Sequence, residues 1–542
     1  MTEPRSVARA ATGMGVATAI SRVFGFARVL VIAGVLGTTY LGNTFQASNS
    51  FSNVLFELLA AGALSAVLVP TFVELIDRGE EREAERLAGN VLGRALMWLG
   101  GVSIVAIAAA PWIARVLASG ATNEGLRDAQ VRLSTFLLRF FVPQILLYAL
   151  GTVAIAALYA KRRFAVTAVA PIGLTVVLVS ALLVFRALAG PGNVDLDLAL
   201  PEKLTLALGA TLGVAAFVGV PVVALRLSGF RLRPRFDRGD PAVRRVLRLS
   251  GWAVFQHSMI GILLVTAIVA GNRVEGGVIA YQVAWVFFLA PYAVLAQPIH
   301  TTVLPELSLQ AGREDGAAFA GSLRWALDSM AMLVIPVSVA MVSLAQPGMR
   351  VVAFGEATGG GIGLLAAGTA SLATGLFFYG AFLLLARAYY ALGDSRTPAL
   401  VALASGLAGA VTMAVAGRAV DGSAVVAAIG IGHSVAYAVG ATVLAVGLSR
   451  RTGHAIVSVA LPRALLVAAP LGAAAWWAAD RVDPQGRAEA LVVVALAAVV
   501  GGILYLFGTR GIGGVAALGR GALARVRSSV GPEEADAAAE EA

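Results

Sequence analysis

Apolar stretches of transmembrane length follow one another through almost the whole chain, separated by short polar connections. A helix needs roughly 20 apolar residues to cross the ~30 Å hydrocarbon core of a bilayer. On this criterion the sequence predicts an all-α integral membrane protein with about fourteen transmembrane helices. The predicted spans lie near residues 15–38, 44–75, 90–117, 131–160, 164–188, 204–226, 248–271, 276–300, 320–346, 361–392, 397–418, 422–448, 461–479 and 489–508.

Composition supports this class and narrows the chemistry. The chain has 542 residues, of which 58% are hydrophobic and 13% charged, and this excludes a soluble globular protein. Because it contains no cysteine, disulfides, thiolate metal sites and cysteine nucleophiles are excluded. The sequence has no Gly-rich nucleotide loop ending in Lys-Ser or Lys-Thr and no His-Glu-x-x-His metal pair. We therefore expect neither an enzyme nor a bound cofactor.

The distribution of positive charge predicts the orientation in the membrane. The formal net charge is +10, and the basic residues concentrate in alternate short loops such as 78–86, 161–163 and 226–248. The loops between them hold mostly single basic residues. This is the positive-inside pattern rather than a nucleic-acid surface, and it predicts that both termini are cytoplasmic. An even number of spans requires the same.

The two ends of the chain need separate interpretations. Arg5 and Arg9 precede an apolar run as in a secretory signal, but Arg22 and Arg28 interrupt that run. We therefore expect an uncleaved first span. Residues 511–542 are predicted to form a cytoplasmic tail, whose acidic, alanine-rich end has no apolar period and is expected to be disordered.

Two pairs of landmarks suggest an internal repeat. Pro70 and Pro305 each close a predicted span. Tyr159 and Tyr390 each stand in an Ala-x-Tyr-Ala sequence ahead of a polar turn, and they are separated by nearly the same length of chain as the two prolines. Both offsets correspond to six spans. They predict two six-helix lobes, related by an axis along the membrane normal and followed by two further spans.

Charged residues inside the spans are the first candidates for function. An isolated charge at mid-membrane costs about 2.5–3.5 kcal/mol on insertion scales, so each needs water, a partner or a role. Arg22 and Arg28 are six residues apart, roughly 9 Å along a helix and about 120° around it. They suit one wall of a wide cavity for an anionic group, and snorkelling is the alternative for Arg22. Glu57 is expected to pair with Arg28, either in that lining or as a structural ion pair.

Short motifs over about residues 10–510 carry a family resemblance. They are SRVFGFAR at 21–28, FELL at 56–59, GALS at 62–65, RFA at 163–165, LPELS at 304–308 and LARAYYALGDSRTP at 385–398. In order and spacing they resemble the MurJ (MviN) family of lipid II flippases, within the MOP flippase superfamily. The pattern is most similar to the actinobacterial branch of that family.

The resemblance implies a function and a domain organisation. The function is translocation of undecaprenyl-pyrophosphate-linked peptidoglycan precursor, lipid II, across the bacterial cytoplasmic membrane by alternating access. The domains are an N-terminal lobe over 1–230, a C-terminal lobe over 231–455 and two spans over 456–510 that form a lipid-tail groove.

The resemblance also supplies candidate site residues. The substrate-binding cavity is expected to include Arg22, Arg28, Asn43 and Glu57. A hinge or lobe-packing signature at an inner turn consists of Arg387, Asp394, Arg396 and Pro398.

Three positions depart from the better-known members of the family. Where those have an acidic residue at the entrance to span two, this chain has Asn43, and where they have paired arginines it has Phe56 and Glu57. Their basic position in span eight falls near Val286. The departures indicate either variation within a lineage or a paralogue with another substrate or without transport.

Each remaining polar residue in the spans has a structural interpretation beside a functional one. His257 and His300 either protonate during transport or hydrogen-bond to neighbouring helices. Arg324 and Asp328 have the spacing of an i,i+4 ion pair. Arg139 either snorkels, pairs structurally or contacts substrate.

The sequence leaves energy coupling and substrate open. We expect a lipid-linked cell-wall precursor, the phospholipid bilayer and the cell-wall synthesis machinery as partners, and no nucleic acid. Transport would be driven by an ion gradient, by the membrane potential or by downstream consumption. One alternative is an exporter of another lipid-linked saccharide or of a drug, and the other is a non-transporting cell-wall scaffold.

Overall fold

The regular backbone structure of the described residues is entirely helical. A computed structural model describes residues 4–56, 62–190, 192–236, 259–358 and 360–510, and within these the structure contains no β-strand. The α-helices of this part are α1 (Pro4–Leu36), α2 (Tyr40–Phe56), α3 (Gly62–Asp77), α4 (Glu81–Ala108), α5 (Ala110–Leu117), α6 (Glu124–Phe141), α7 (Gln144–Ala160), α8 (Phe164–Ala189), α9 (Leu200–Leu227), α10 (Met259–Gly271), α11 (Gly277–Pro291), α12 (Gln297–Gly312), α13 (Gly316–Ser343), α14 (Ala345–Val352), α15 (Gly361–Ala373), α16 (Leu376–Ala391), α17 (Arg396–Arg418), α18 (Ser423–Thr452), α19 (Ala460–Val482) and α20 (Arg487–Thr509).

Most of these helices have the length and composition of membrane spans. Ten stretches of the described residues qualify, with α6–α7 and α11–α12 each counted as one, and the bent pair α15–α16 makes eleven. The predicted all-helical, multi-pass class is thus confirmed. The count of fourteen stays a prediction, because the predicted spans 44–75 and 248–271 include residues 57–61 and 248–258, which lie outside the described part.

Several spans are divided or extended at points that hydropathy does not report. The predicted span 90–117 consists of α4 and the short α5, and the predicted span 131–160 consists of α6 and α7. Pro143 stands between α6 and α7, where its missing N–H interrupts the helical hydrogen bonds. α15 and α16 meet at an angle of 44°. A π-helical turn, Tyr292–Ala296, joins α11 to α12 directly after Pro291, a helix disturbance often found at functional sites.

The chain forms two compact units. Unit 1 comprises residues 1–286, 352–368 and 395–436, and unit 2 comprises 287–351, 369–394 and 437–542. Unit 1 draws on both halves of the sequence, whereas unit 2 comes entirely from the C-terminal half. The lobe boundaries 1–230 and 231–455 stay predictions from the sequence.

In unit 1, α4 packs closely against the segment that follows α9. Glycines at positions 89 and 93 let the backbone of residues 233–235 approach α4, and the Arg235 amide donates a 2.8 Å hydrogen bond to the Gly89 carbonyl. A Cβ atom on Gly93 would lie 1.9 Å from the Arg235 carbonyl oxygen. Lys161 connects the start of α4 to the end of α9, since its ammonium contacts Glu81 and donates to the Ser228 carbonyl at 3.0 Å.

In unit 2, α13 is the central helix. It packs against α12, α16 and α19. Gly472 of α19 allows this close approach, because a Cβ atom there would lie 2.2 Å from the Val339 side chain of α13. Small residues at such contacts are typical of helix packing in membranes.

Helices and turns recur along the chain at nearly constant offsets. α4 and α13 have 28 residues each, and each is followed by a helix of eight residues, α5 and α14. The turns at 78–80 and 313–315 make the same pattern of backbone hydrogen bonds. The turns at 161–163 and 392–394 repeat this pattern, and the two members of each pair are separated by nearly the same length of chain. These turns follow the landmarks from which the sequence predicts a repeat.

We predict that Gly93→Ala destabilises the protein by about 1–3 kcal/mol, because the new methyl group meets backbone rather than a movable side chain. The measurement is the thermal midpoint of the detergent-solubilised protein. Gly100→Ala is the matched control on the same helix, since a Cβ atom there meets nothing within 4 Å. Equal midpoints for the two variants would contradict the packing described.

Candidate functional site

Asn43 joins α2 to the start of α11 in unit 1. Its side-chain amide donates to the Val274 carbonyl at 2.9 Å, and its oxygen accepts from the Val278 amide at 2.9 Å and the Ile279 amide at 3.4 Å. Asn43 therefore satisfies amide groups at the N-terminus of α11 that have no partner within the helix. The side chain is fully buried, at 0% exposure, so in this conformation it does not face open space.

The rest of α2 is unusually polar for a helix within a predicted span. Ser48 donates to Ser134 of α6 at 3.2 Å, and Gln282 of α11 donates to Ser50 at 3.0 Å. These groups are neutral, and they are paired with groups on neighbouring helices. The pairing agrees with the low polarity of a membrane interior, where an unpaired polar group is costly.

Farther along α2, a cluster of polar and aromatic side chains includes Arg28. The Tyr148 hydroxyl of α7 donates to the Asn53 side-chain oxygen at 2.7 Å, and the Tyr148 ring lies 5.2 Å from the Phe56 ring. Arg28 of α1 is close enough to Tyr148 to act on it electrostatically. Asn53 is exposed, while Arg28 and Tyr148 are half-buried, so the cluster borders accessible space. We call Arg28, Asn53, Phe56 and Tyr148 the arginine–tyrosine cluster.

The predicted pair of Arg28 with Glu57 cannot be placed. Glu57 belongs to residues 57–61, which lie outside the described part of the chain. The neighbouring Phe56 takes part in the arginine–tyrosine cluster through its ring.

The position near Val286 is also surrounded by aromatic rings. The Trp285 ring lies 6.2 Å from the Tyr281 ring and 5.1 Å from the His433 ring, and Tyr281 and His433 are stacked at 5.4 Å. Phe56 and Val286 stand at positions where the family resemblance leads us to expect basic residues. Phe56 belongs to one aromatic cluster, and Val286 adjoins another.

Arg22 lies apart from that cluster on the same helix. It is exposed and lines a cavity of about 500 Å³ formed by α1, α7 and α8. Tyr159 and Phe164 line the same cavity, and their ring centres are 5.6 Å apart. The structure thus brings Arg28 to Tyr148 and Asn53, and it brings Arg22 to a different cavity.

Unit 2 contains an apolar groove of about 560 Å³ between α13, α14, α19 and α20. Gly501 and Gly502 of α20 line it, and a Cβ atom at either position would meet nothing within 4 Å. At the groove, Tyr505 of α20 donates to the Met332 carbonyl of α13 at 3.0 Å. The groove is wide because Gly501 and Gly502 place no side chain in it. The buried Tyr505 fastens α20 to α13. Its chemistry suits a long hydrocarbon chain.

The signature residues lie at and beyond the end of α16. Arg387 is half-buried and acts electrostatically on Tyr292 and His300. Asp394 forms a 3.0 Å ion pair with Arg451 of α18. The intervening turn has a left-handed residue, Gly393, with φ of 75°.

The last two signature residues begin the next helix. Arg396 is the first residue of α17 and is exposed, and Pro398 is buried in its first turn. Proline is tolerated there because the first helical amides have no partner within the helix.

The predicted ion pair between Arg324 and Asp328 is wrong. Arg324 donates to the Ala455 carbonyl at 2.6 Å, while Asp328 accepts from the Ser458 hydroxyl at 2.8 Å and the Ala460 amide at 3.0 Å. Both residues of α13 are therefore directed to the connection between α18 and α19. The i,i+4 spacing places the two side chains near each other, but it does not determine whether they bind each other or groups on other helices.

The remaining polar residues predicted as candidates are His300, Arg139 and His257. His300 is fully buried, with its ring nitrogens 3.4 Å from the Tyr292 hydroxyl and 3.3 Å from the Met330 sulfur, which agrees with hydrogen bonding to neighbouring helices. Arg139 is exposed on α6. His257 lies outside the described residues.

Tyr148 and Asn53 were not predicted from the sequence. A signal was available, because residues 43–53 contain mostly amide and hydroxyl side chains inside an apolar span. Such a segment predicts several polar contacts to neighbouring helices, although it does not tell which neighbour supplies them.

The fold is shared with solved structures of membrane transporters. A solved structure of "Lipid II flippase MurJ, inward closed conformation" matches with a TM-score of 0.71 and 17% identity, covering 92% of this chain and 99% of that one. An inward-facing MATE-family multidrug resistance transporter of the MOP superfamily matches with a TM-score of 0.64 and 14% identity, covering 80% and 94%. The chain therefore has the fold of a MOP-superfamily transporter.

Sequence comparison identifies the family within that class. The family model "Lipid II flippase MurJ" matches residues 32–497, and the chain belongs to this family of transporters. A probable lipid II flippase MurJ from Haemophilus influenzae is 24% identical over 526 residues, covering 91% of this chain and 98% of that protein. One from Rhizobium tropici is 30% identical over 344 residues, covering 62% of each. The predicted family and the prediction of a transporter rather than an enzyme are confirmed.

We predict that Asn43→Ala lowers stability by about 2 kcal/mol or more, because it leaves buried amides of α11 without their acceptor. Thermal midpoint and membrane abundance are the measurements. Asn49→Ala is the control, since Asn49 lies half-buried on the same helix. An unchanged midpoint for Asn43→Ala would show that the capping contact does not stabilise the fold.

Proposed function

We propose that the protein translocates lipid II, or a closely similar undecaprenyl-pyrophosphate-linked precursor, across the bacterial cytoplasmic membrane by alternating access. The observation that carries the proposal is membership of the lipid II flippase MurJ family over residues 32–497. Half-buried Arg28, close to the Tyr148 hydroxyl that bonds to Asn53 of α2, supports it chemically. A flippase moves the lipid without breaking its bonds, so its site must bind and release rather than react.

The proposed architecture comprises fourteen spans in two six-helix lobes, with both termini cytoplasmic and α19–α20 as the additional pair. The helices and turns that recur at nearly equal offsets along the chain support the duplication. The concentration of basic residues in the segments 78–86, 161–163 and 226–248 of the sequence supports the orientation. Rocking of the lobes would expose a central cavity to each side in turn.

The proposed site for the head group includes Arg28. A guanidinium group donates paired hydrogen bonds to phosphate oxygens and stays charged at all physiological pH values. Asn53 and the Tyr148 hydroxyl offer further polar contacts, which suit the sugar and peptide parts of the precursor. Arg22, roughly 9 Å farther along α1, would meet the substrate at another stage or from another side. Glu57 is a candidate for balancing the charge of Arg28 while the site is empty.

The proposed site for the lipid tail is the groove between α13, α14, α19 and α20. Its walls are almost entirely apolar, and the space beside Gly501 and Gly502 is open. A polyprenyl chain would gain the usual dispersion contacts there while its head group occupies the polar site. The pair α19–α20 would thus hold the tail during transport.

The residues of the α16–α17 signature are proposed to control lobe movement. Asp394 and Arg451 fasten the turn after α16, and Pro398 limits how the first turn of α17 can bend. Coupling to an ion gradient or to the membrane potential, and association with the cell-wall synthesis machinery, belong to the same proposal.

The aromatic surroundings favour one second candidate. Phe56 and Trp285 provide ring surfaces where the sequence lacks the basic residues expected from its family resemblance. A head group with less negative charge and more sugar surface would suit such a lining. The alternative function is therefore export of another lipid-linked saccharide, and reconstituted transport with defined lipids would separate the two.

We predict that Arg28→Ala abolishes rescue of a MurJ-depleted bacterium without lowering protein abundance, because it removes the phosphate-binding charge. Growth after depletion and immunoblotting of membranes are the measurements. Arg139→Ala is the control, since Arg139 is an exposed arginine on another helix of unit 1. Normal growth with Arg28→Ala would remove Arg28 from the mechanism, and failure of the unmodified protein to rescue would favour the alternative substrate or a scaffold.

We predict that Gly502→Leu also impairs rescue, because the leucine side chain enters the groove in unit 2. Gly219→Leu on α9 is the control, since a Cβ atom there also meets nothing within 4 Å but it does not line the groove. Both changes raise helix propensity, so abundance should be preserved. Equal rescue by the two variants would argue against a tail-binding groove.

A further inference from the structure

A second apolar cleft in unit 2 lies between α13, α16, α18 and the connector 453–459. Its volume is about 560 Å³, within the range of ligand-binding cavities. Phe377, Phe378, Val446 and Leu461 are among the residues that line it. It shares no residue with the groove between α13, α14, α19 and α20. It is therefore a separate candidate site.

The wall of this cleft is fastened by the two charged residues of α13. Arg324 holds the Ala455 carbonyl at 2.6 Å, and Asp328 holds the Ser458 hydroxyl at 2.8 Å. The Ile456 amide donates to the Ser449 hydroxyl of α18 at 2.8 Å. The connector is thus tied to both α13 and α18 and does not collapse into the space between them. This gives the charges of α13 a structural purpose that the transport site does not require.

The connector presents apolar side chains outward. Ile456 and Ser458 are buried, whereas Val457 is 63% exposed and Val459 is 51% exposed. An extended segment with valines on its free side is poorly suited to water and well suited to acyl chains. Its position beside Arg450 and the cytoplasmic end of α18 assigns it to the inner leaflet under the orientation proposed above.

Arg450 supplies positive charge at the edge of the cleft. It lines the cavity and is exposed, while the adjacent Arg451 is engaged by Asp394 at 3.0 Å. Among the described residues, no carboxylate lies within 4.0 Å of the Arg450 guanidinium. The apolar walls of the cleft are complementary to an acyl chain, and the cation at its mouth is complementary to the phosphate of an anionic lipid.

We propose that this cleft binds an acyl chain of an anionic phospholipid of the cytoplasmic leaflet, whose phosphate contacts Arg450. The inference rests on the orientation under the proposed function but not on the identity of the transported lipid. Charge complementarity with the anionic inner leaflet favours a phospholipid over a neutral lipid. The bound lipid would brace α13, α16 and α18 at their cytoplasmic ends.

The test uses the absence of cysteine from the chain. A single cysteine at Val457, beside the cleft, carries a fluorophore, and the full-length protein is reconstituted in vesicles. Phosphatidylglycerol with brominated chains in unbrominated phosphatidylcholine is compared with the reverse mixture. The matched control is a label at Leu227, which is 81% exposed at the end of α9 and is assigned to the same leaflet.

We expect quenching by brominated phosphatidylglycerol to exceed quenching by brominated phosphatidylcholine at position 457 and not at 227. Arg450→Gln should weaken the preference about fivefold, the effect of one basic residue near an anionic surface. Arg226→Gln, an exposed arginine at the end of α9, should leave it unchanged. Ala445→Leu, which fills the cleft, should remove the excess quenching.

Three results would overturn the proposal. They are equal preference at the two labels, a preference that survives Arg450→Gln, and displacement of the quencher by undecaprenyl phosphate but not by unbrominated phosphatidylglycerol. Repeating the measurement with Arg28→Ala separates this site from transport, because that variant should keep the lipid preference. A protein that fails to transport lipid II but keeps the preference would contradict the proposed function alone.

Discussion

Hydrogen bonds from the neutral polar side chains of α2 are the interactions on which unit 1 depends. A membrane interior leaves backbone and side-chain polar groups without water, so a partner in the protein stabilises them. Asn43 accepts hydrogen bonds from the first amides of α11. Ser48 joins α2 to α6, and Ser50 joins α2 to α11. Because these bonds involve no net charge, α2 can be both polar and buried. Farther along the same helix, Asn53 is exposed and bonded to Tyr148, on which Arg28 acts electrostatically.

Under the proposed function, this arrangement would build a site for an anionic head group with little fixed charge. In the described residues of the arginine–tyrosine cluster, Arg28 provides the charge, and Asn53 and Tyr148 provide neutral contacts. Unit 2 contributes different chemistry, namely an apolar groove whose width depends on Gly501 and Gly502. Head and tail of a lipid substrate would thus be bound by different kinds of surface.

Much of this could be predicted from the sequence, and the errors have physical causes. Hydropathy predicted the membrane class. The two six-helix lobes inferred from the offset between Pro70 and Pro305 stay a prediction, with which the recurring hydrogen bonds of the turns agree. Hydropathy did not predict where helices break, because Pro143 and the α15–α16 bend interrupt apolar sequence without changing its polarity. Spacing within one helix wrongly paired Arg324 with Asp328, since their partners lie far along the chain, in the connection after α18. Asn43 was predicted as a cavity residue at the entrance to span two, and its burial depends on residues 274–279, which no local pattern reveals.

The central claim is that this chain moves a lipid-linked cell-wall precursor between leaflets. The most direct measurement is transbilayer movement of lipid II in vesicles that contain only the purified protein. Lipid II placed in one leaflet is followed by its accessibility to a membrane-impermeant reagent on the other side. The account predicts accessibility that rises with the amount of protein and clearly exceeds that of protein-free vesicles. Accessibility no greater than in vesicles without protein, from a preparation shown to be folded and inserted, would contradict it.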